Sequence, residues 1–298
     1  MTGNSLRSLL DPNADSRRHA FAYLDESAKR EIRRQTLKAV AVPGHQVPFA
    51  GREIPIARGW GTGGLQLTMS LIGPDDVLKV IDQGCDGSVN AVNLRRLAAL
   101  TTGCRTVTRT GEATLIQTRH RIPETPLRSG QILIFQVPYP EILRMVEPSE
   151  AVTRRMHAEA DYHRMWTFLY ENVVQWGRIT IGFRYPVKVN GRYLMDPSPI
   201  PRFDIPKLNR SPALMLFGAG REKRIYALPP FTRVEPLAFT DLPFEVEQQF
   251  GARCSRCGSG DSFLDEIPDG ETGKTRWVCS DTDYCDQGLA AKKGEGVV

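Results

Sequence analysis

Two stretches near the middle of the chain decide the fold: 113–124, "ATLIQTRHRIPE", and 130–141, "GQILIFQVPYPE". Both are short apolar runs that end at prolines, and both are read as strands. Further along, 185–196, "YPVKVNGRYLMD", is a hairpin. Asn190-Gly191 supplies the positive φ angles of a type I′ turn between alternating strands. The stretch 213–231, "ALMLFGAGREKRIYALPPF", reads as a buried strand, a Gly-Ala-Gly turn, a basic cluster and another strand.

Upstream the periodicity turns helical. "YLDESAKREIRRQTLKAV" is a helix capped by Asp25 or Ser27, with Ile32, Leu37 and Val40 as its apolar face. Pro43 and Gly44 stop it. "GPDDVLKVIDQG" is read as another helix, with Pro74 in its first turn and two acids suited to the dipole. "SVNAVNLRRLAALTTG" is an amphipathic helix capped by Ser88 and closed near Gly103. Between the strand regions, "SEAVTRRMHAEADYHRMWTFLYENVVQW" has Val152, Met156, Met165, Leu169 and Val173 at helical intervals, and is read as an inserted helical element. The fold class is therefore mixed α/β (α+β). The expected layout is a flexible tail over 1–20 and a catalytic domain over 21–250 with a helical insertion at about 140–178. A cysteine module over 251–290 and a short tail over 291–298 follow.

The chain has 298 residues, 41% hydrophobic and 24% charged, ordinary values for a globular protein. No run approaches the roughly 18 consecutive apolar residues of a membrane helix, and the first twenty residues lack a secretory apolar core. A cytoplasmic location is expected, where clustered cysteines bind metal rather than form disulfides. The net charge of +5 suits an anionic small substrate or an acidic partner. A basic stripe interleaved with aromatics, the footprint of nucleic-acid binding, is missing.

Four of the six cysteines crowd into the last sixth of the chain: Cys254 and Cys257, then Cys279 and Cys285, in the pattern C-x2-C-x21-C-x5-C. By spacing alone this is a structural zinc ribbon, in which thiolates two residues apart share one tetrahedral ion. The wide C-x5-C pair and the acids and hydroxyls of "CSDTDYC" suit a working loop better than a clip. Soft thiolates serve zinc and iron–sulfur alike, so both stay open. Cys85 and Cys104 fall in no metal spacing and are bystanders.

The cysteine motif resembles that of the J-subunit family of bacterial carbon–phosphorus lyase. So do "FAYLDE", "LKAVAVPGHQVPFAGRE", "GWGTGG", "DVLKVIDQG", "ATLIQTRHRIPETPL", "YPVKVNGRY", "MDPSPIP" and "LFGAGREKRIYALPPFTRVE", in family order from about Phe21 to Cys285. The resemblance implies an atypical radical S-adenosylmethionine enzyme. It implies action on a ribose 1-phosphonate 5-phosphate such as the 1-methylphosphonate, giving ribose 1,2-cyclic phosphate 5-phosphate and the alkane. It also implies that Cys254, Cys257 and Cys279 hold a 4Fe–4S cluster, that Gly44 is the glycyl-radical site and that Cys285 is the thiyl nucleophile. Zinc can occupy the cysteines in aerobic preparations, in which case Cys285 joins them. Implied partners are subunits G, H and I and an ABC-type ATPase subunit K, the last docking on the helical insertion.

Other residues carry weaker signals. On its own Gly44 is a plain helix C-cap. "GWGTGG" is no P-loop, because no Lys-Ser/Thr follows; it is a flexible turn or a loop whose amides approach a phosphate. His120 lies between Arg119 and Arg121 at a strand end, a triplet suited to an anion or a metal-bound phosphate. Arg221, Lys223 and Arg224 follow a glycine turn and can hold the 5-phosphate or form a solvated basic turn. The rival to the lyase is a zinc-ribbon scaffold or binding protein with a closed four-cysteine zinc site.

Overall fold

The computed structural model describes residues 24–49, 62–82, 86–119, 121–137, 148–149, 151–152, 185–198, 204–220, 223–236, 251–268, 270 and 272–295. Helix α1 (Glu26–Ala41) is followed by β1 (Val47–Pro48), α2 (Thr62–Leu71), β2 (Val77–Ile81), α3 (Val89–Thr102) and β3 (Arg105–Thr106). Next come β4 (Leu115–Thr118), β5 (Ile132–Val137), the hairpin β6 (Tyr185–Val189) and β7 (Tyr193–Ser198), and the short α4 (Ile205–Leu208). The chain continues through β8 (Leu214–Ala219), β9 (Arg224–Leu228), β10 (Val234–Pro236), β11 (Leu264–Pro268), β12 (Thr275–Cys279) and α5 (Thr282–Glu295).

The main sheet has seven strands in the order β1-β9-β8-β5-β4-β2-β3. Strands β3, β2, β4, β5 and β8 run parallel, while β9 returns antiparallel to β8 and pairs antiparallel with β1. A parallel sheet covered on both faces needs nearly continuous apolar strands, which is what 115–118, 132–137 and 214–219 provide. Side chains alternate between the faces. Leu115, Ile134, Leu216 and Ile225 join Ile32, Ala39, Leu65 and Leu94 beneath α1, α2 and α3. Ile116, Phe135, Phe217 and Tyr226 point the other way, to Val187, Val189, Leu208 and Val234 of α4 and the small sheet β10-β6-β7.

Asp25 caps α1, accepting from the Ala28 amide at 2.7 Å. Its inner face is Ile32, Gln35, Thr36 and Ala39, and Leu37 stands 70% exposed, so the apolar face expected from Leu37 is displaced. Ser88 and left-handed Gly103 (φ +78) bound α3 as expected. The stretch "GPDDVLKVIDQG" forms no helix: residues 74–75 turn, and Val77–Ile81 is a strand between β4 and β3. A run of Val, Leu, Val and Ile buried between two layers outweighs the local helix signals of Pro74 and its acids. Helix α2 was not expected either. It starts inside "GWGTGG", where a Cβ on Gly63 would lie 2.5 Å from the Ala219 backbone. Asn190 (φ 51) and Gly191 (φ 70) make the β6–β7 turn as read. The helical insertion at about 140–178, His120, Arg221 and Cys85 lie outside the described residues, except 148–149 and 151–152 of the insertion.

Candidate metal centre

Cys254 and Cys257 sit in a tight turn whose fold follows from local bonds. The Cys254 amide donates to Ser259 O at 2.8 Å, and the Gly258 amide donates to Cys254 O at 2.8 Å. Gly258, directly after Cys257, takes φ +75, a conformation that costs glycine little. The Ser255 amide reaches Trp277 O at 2.7 Å and ties this turn to β12, whose last residue is Cys279. Cys285 comes from the first turn of α5. Gly288, one turn later, lets that helix lie close to the knuckle: a Cβ there would be 3.1 Å from Cys257 Cβ.

All four sulfurs lie within 4.8 Å of one another and all four residues are buried. Cys257 Sγ is 3.4 Å from Cys279 Sγ, and Cys254 Sγ is 3.7 Å from Cys285 Sγ. Burial pushes the Cys254 thiol up, but the amides of Cys257, Cys279 and Arg256, each 3.4 Å away, outweigh it and bring the thiol down to about 6. Burial raises Cys279, despite a hydroxyl bond from Ser262 at 3.1 Å, and lifts Cys285 to about 12, with Cys254 adding to the rise. A lowered Cys254 thiol close to the raised thiols of Cys279 and Cys285 makes a site that takes up metal with proton release. In kind, the donors suit zinc or an iron–sulfur cluster. In spacing they suit one shared ion, because metal–sulfur bonds of ~2.3 Å give a tetrahedron with edges of about 3.8 Å. A cubane, with a separate iron for each thiolate, requires Cys254, Cys257 and Cys279 to spread and Cys285 to stand clear.

The acids of "CSDTDYC" face the body of the protein. Asp281 Oδ2 accepts from the Glu124 amide and Asp283 Oδ2 from the Thr110 amide, both at 2.7 Å. The Glu124 carboxylate accepts from the Phe263 amide at 3.2 Å and pairs with Lys207 at 3.0 Å. Arg121 lies 3.5 Å over the Phe263 ring, a cation–π contact only 4% exposed. Of the expected anion-binding residues, Arg121 is thus turned into the join between module and body.

Arg119 lies elsewhere. Its Nε is 2.6 Å from Asp82 Oδ1, and Asn90 donates to Asp82 Oδ2 at 3.0 Å. Asp82 and Arg119 follow β2 and β4, and the strand order reverses between these two: β3 adds on one side of β2 and β4 on the other. The carboxyl ends of parallel strands at such a switch are where open α/β sheets bind ligands. Lys223 (φ 50) and Arg224 are half-buried at the start of β9; the carbonyl of Lys223 accepts from the Phe49 amide at 2.8 Å. Gly44 is buried at φ +77, and its amide donates to Ala227 O at 2.9 Å. That places it at the β1 margin of the sheet, whereas the cysteine module is held by segments flanking β3 and β4. Sequence reasoning missed Asp82, Glu124 and Asp281, although the acids of "CSDTDYC" were a signal for the last.

A mixed α/β sheet bearing a buried four-thiol centre defines a protein built to hold metal through cysteine. The chain belongs to the family of phosphonate metabolism protein PhnJ, whose model matches residues 17–291. It is 61% identical over 272 residues to the alpha-D-ribose 1-methylphosphonate 5-phosphate C-P lyase of Escherichia coli (strain K12), covering 91% of this chain and 96% of that protein. It is 58% identical over 266 residues to the enzyme of the same name from Rhizobium meliloti (strain 1021), covering 89% of each. No helix among the described residues is long and apolar enough to cross a membrane.

Proposed function

We propose that this chain is the catalytic subunit of a cytoplasmic carbon–phosphorus lyase of phosphonate catabolism. It converts alpha-D-ribose 1-methylphosphonate 5-phosphate to alpha-D-ribose 1,2-cyclic phosphate 5-phosphate and methane. The observation that carries this is 61% identity over 96% of a protein named for that substrate and bond, with the four-cysteine module inside the matched span.

The chemistry gives the residues their roles. Hydrolysis of a C–P bond needs an alkyl carbanion to leave, whereas one-electron cleavage does not. In this reading Cys254, Cys257 and Cys279 hold a 4Fe–4S cluster. Bound there together with S-adenosylmethionine, such a cluster would supply a hydrogen-abstracting radical. Gly44 offers a Cα hydrogen flanked by two amides, and Cys285 gives up its thiol hydrogen so that its sulfur attacks phosphorus. Attack of that sulfur would break the C–P bond homolytically, and the methyl radical would leave as methane by taking the Gly44 Cα hydrogen. The ribose 2-hydroxyl would then attack phosphorus, break the S–P bond and release the Cys285 thiolate, which takes the hydroxyl proton. Arg119 and His120 suit the phosphonate end, and Arg221, Lys223 and Arg224 the 5-phosphate. The chain works with subunits G, H and I, and the ATPase subunit K docks on the insertion at about 140–178.

A second reading is a closed zinc site using all four cysteines, favoured by the 3.4 and 3.7 Å sulfur separations. Anaerobic reconstitution of the assembled complex, with iron, sulfide and zinc analysis and methane assayed from the ribose 1-methylphosphonate, separates the two. Iron, sulfide and methane together support the lyase reading. Stoichiometric zinc with neither sulfide nor methane supports the scaffold.

A further inference from the structure

The four cysteines hang from two supports. Cys254, Cys257 and Cys279 belong to the knuckle and the β11–β12 hairpin, joined by the Ser255–Trp277 bond and by the amides gathered on Cys254 Sγ. Cys285 belongs to α5, and the first turn of α5 is fastened to the body. Asp281 caps that helix, accepting from the Tyr284 amide at 3.3 Å through Oδ1 and from the Glu124 amide at 2.7 Å through Oδ2. The Cys285 amide donates to Asp281 O at 3.1 Å. Asp283 repeats the arrangement one turn-position on. Its Oδ1 accepts from Gln287 Nε2 at 3.0 Å within α5, and its Oδ2 accepts from the Thr110 amide at 2.7 Å on the body. Each carboxylate therefore has one oxygen in the helix and one on the catalytic domain. A metal clip alone needs neither tie. At the hairpin end, the Phe263 amide reaches the Glu124 carboxylate and the Phe263 ring stacks with Arg121.

We propose that Asp281 and Asp283 are positioning residues that register the Cys285 thiol on the catalytic domain, independently of the three cysteines carried by the hairpin. The inference rests on the reading of Cys285 as the reacting thiol, and it explains how one cysteine of the four keeps a fixed station while the other three hold the metal.

The test compares cysteines within one molecule. Full-length protein is stripped of metal by a chelator and alkylated with iodoacetamide, and labelling of Cys285 and Cys279 is followed by mass spectrometry. In Asp281→Ala the rate at Cys285 should rise about tenfold relative to Cys279, as expected when a helix loses its cap and its outside anchor. Asp283→Asn, which keeps an acceptor toward Thr110, should give a smaller rise, and it reads the same ratio if Asp281→Ala does not fold. Equal rises at both cysteines, or no change at either, overturns the proposal. In the assembled complex, Asp281→Ala should keep its metal content and lose methane release. Wild-type complex that releases no methane defeats the lyase reading, whereas the labelling ratio still decides this one.

Discussion

Lys79 Nζ lies 3.0 Å from Asp86 Oδ2, with 0% and 4% of the two side chains exposed. Lys79 also donates to Thr108 O, and Arg95 donates to Asp86 O at 2.8 Å. The pair sits where β2 meets the base of the cysteine module. Removing one partner strands the other charge, so Asp86→Ala should cost about 3–5 kcal/mol by urea unfolding. Burial, with Asp281 adding to it, raises the Asp86 carboxyl from its ordinary 3.8 to about 6 despite the pull of Lys79. The native state therefore holds this proton more tightly than the unfolded chain does. Its contribution to stability is present below about pH 4, falls as pH rises through about 6, and is flat above, a swing of roughly 3 kcal/mol. Asp86→Asn should remove that slope from unfolding curves measured between pH 4 and 7.

The cysteines should divide their labour. Cys285→Ala should keep a reconstituted iron–sulfur cluster and still cleave S-adenosylmethionine while releasing no methane. Cys254→Ala, Cys257→Ala and Cys279→Ala should each lose the cluster. Iron and sulfide content with product analysis checks this, and loss of the cluster from Cys285→Ala as well would return Cys285 to a metal ligand.

Gly44→Ala should abolish methane release, but a Cβ at φ +77 also costs about 1–3 kcal/mol in backbone strain. Gly103 has φ +78 with open space around it, so Gly103→Ala carries the same strain and no chemistry. The expected outcome is a similar loss of melting temperature in both variants, with methane lost in Gly44→Ala alone. Equal activity in the two variants would remove Gly44 from the mechanism.

Gly63→Ala places a methyl 2.5–2.6 Å from the backbone of Gly218, Ala219 and Gly220. Backbone cannot rotate aside as a side chain can. Helix α2 must lift from the ends of β5 and β8, and the cost should reach 3 kcal/mol or more by denaturant unfolding. Gly73→Ala, whose Cβ would meet only Asp76 Oδ2 at 3.7 Å, should cost far less.

Local pattern was enough for much of this protein. Asp25, Ser88 and Gly103 marked helix ends, Asn190-Gly191 marked a hairpin, and two proline-stopped apolar runs marked the strands at the centre of the sheet. These signals are legible because each acts within a few residues. The cysteine spacing likewise identified a metal centre, since two neighbouring thiolates need no distant help to share an ion. Tertiary structure decided the rest. It made Val77–Ile81 a strand because burial between two layers outweighed the helix signals of Pro74 and its acids. It exposed Leu37, paired Arg119 with Asp82 at the reversal of strand order, and turned Arg121 inward onto Phe263. It also carried the acids of "CSDTDYC" to Glu124 and Thr110, more than 150 residues away in the chain. No local rule reaches such partners, because they are chosen by which surfaces remain to be covered once the sheet has formed.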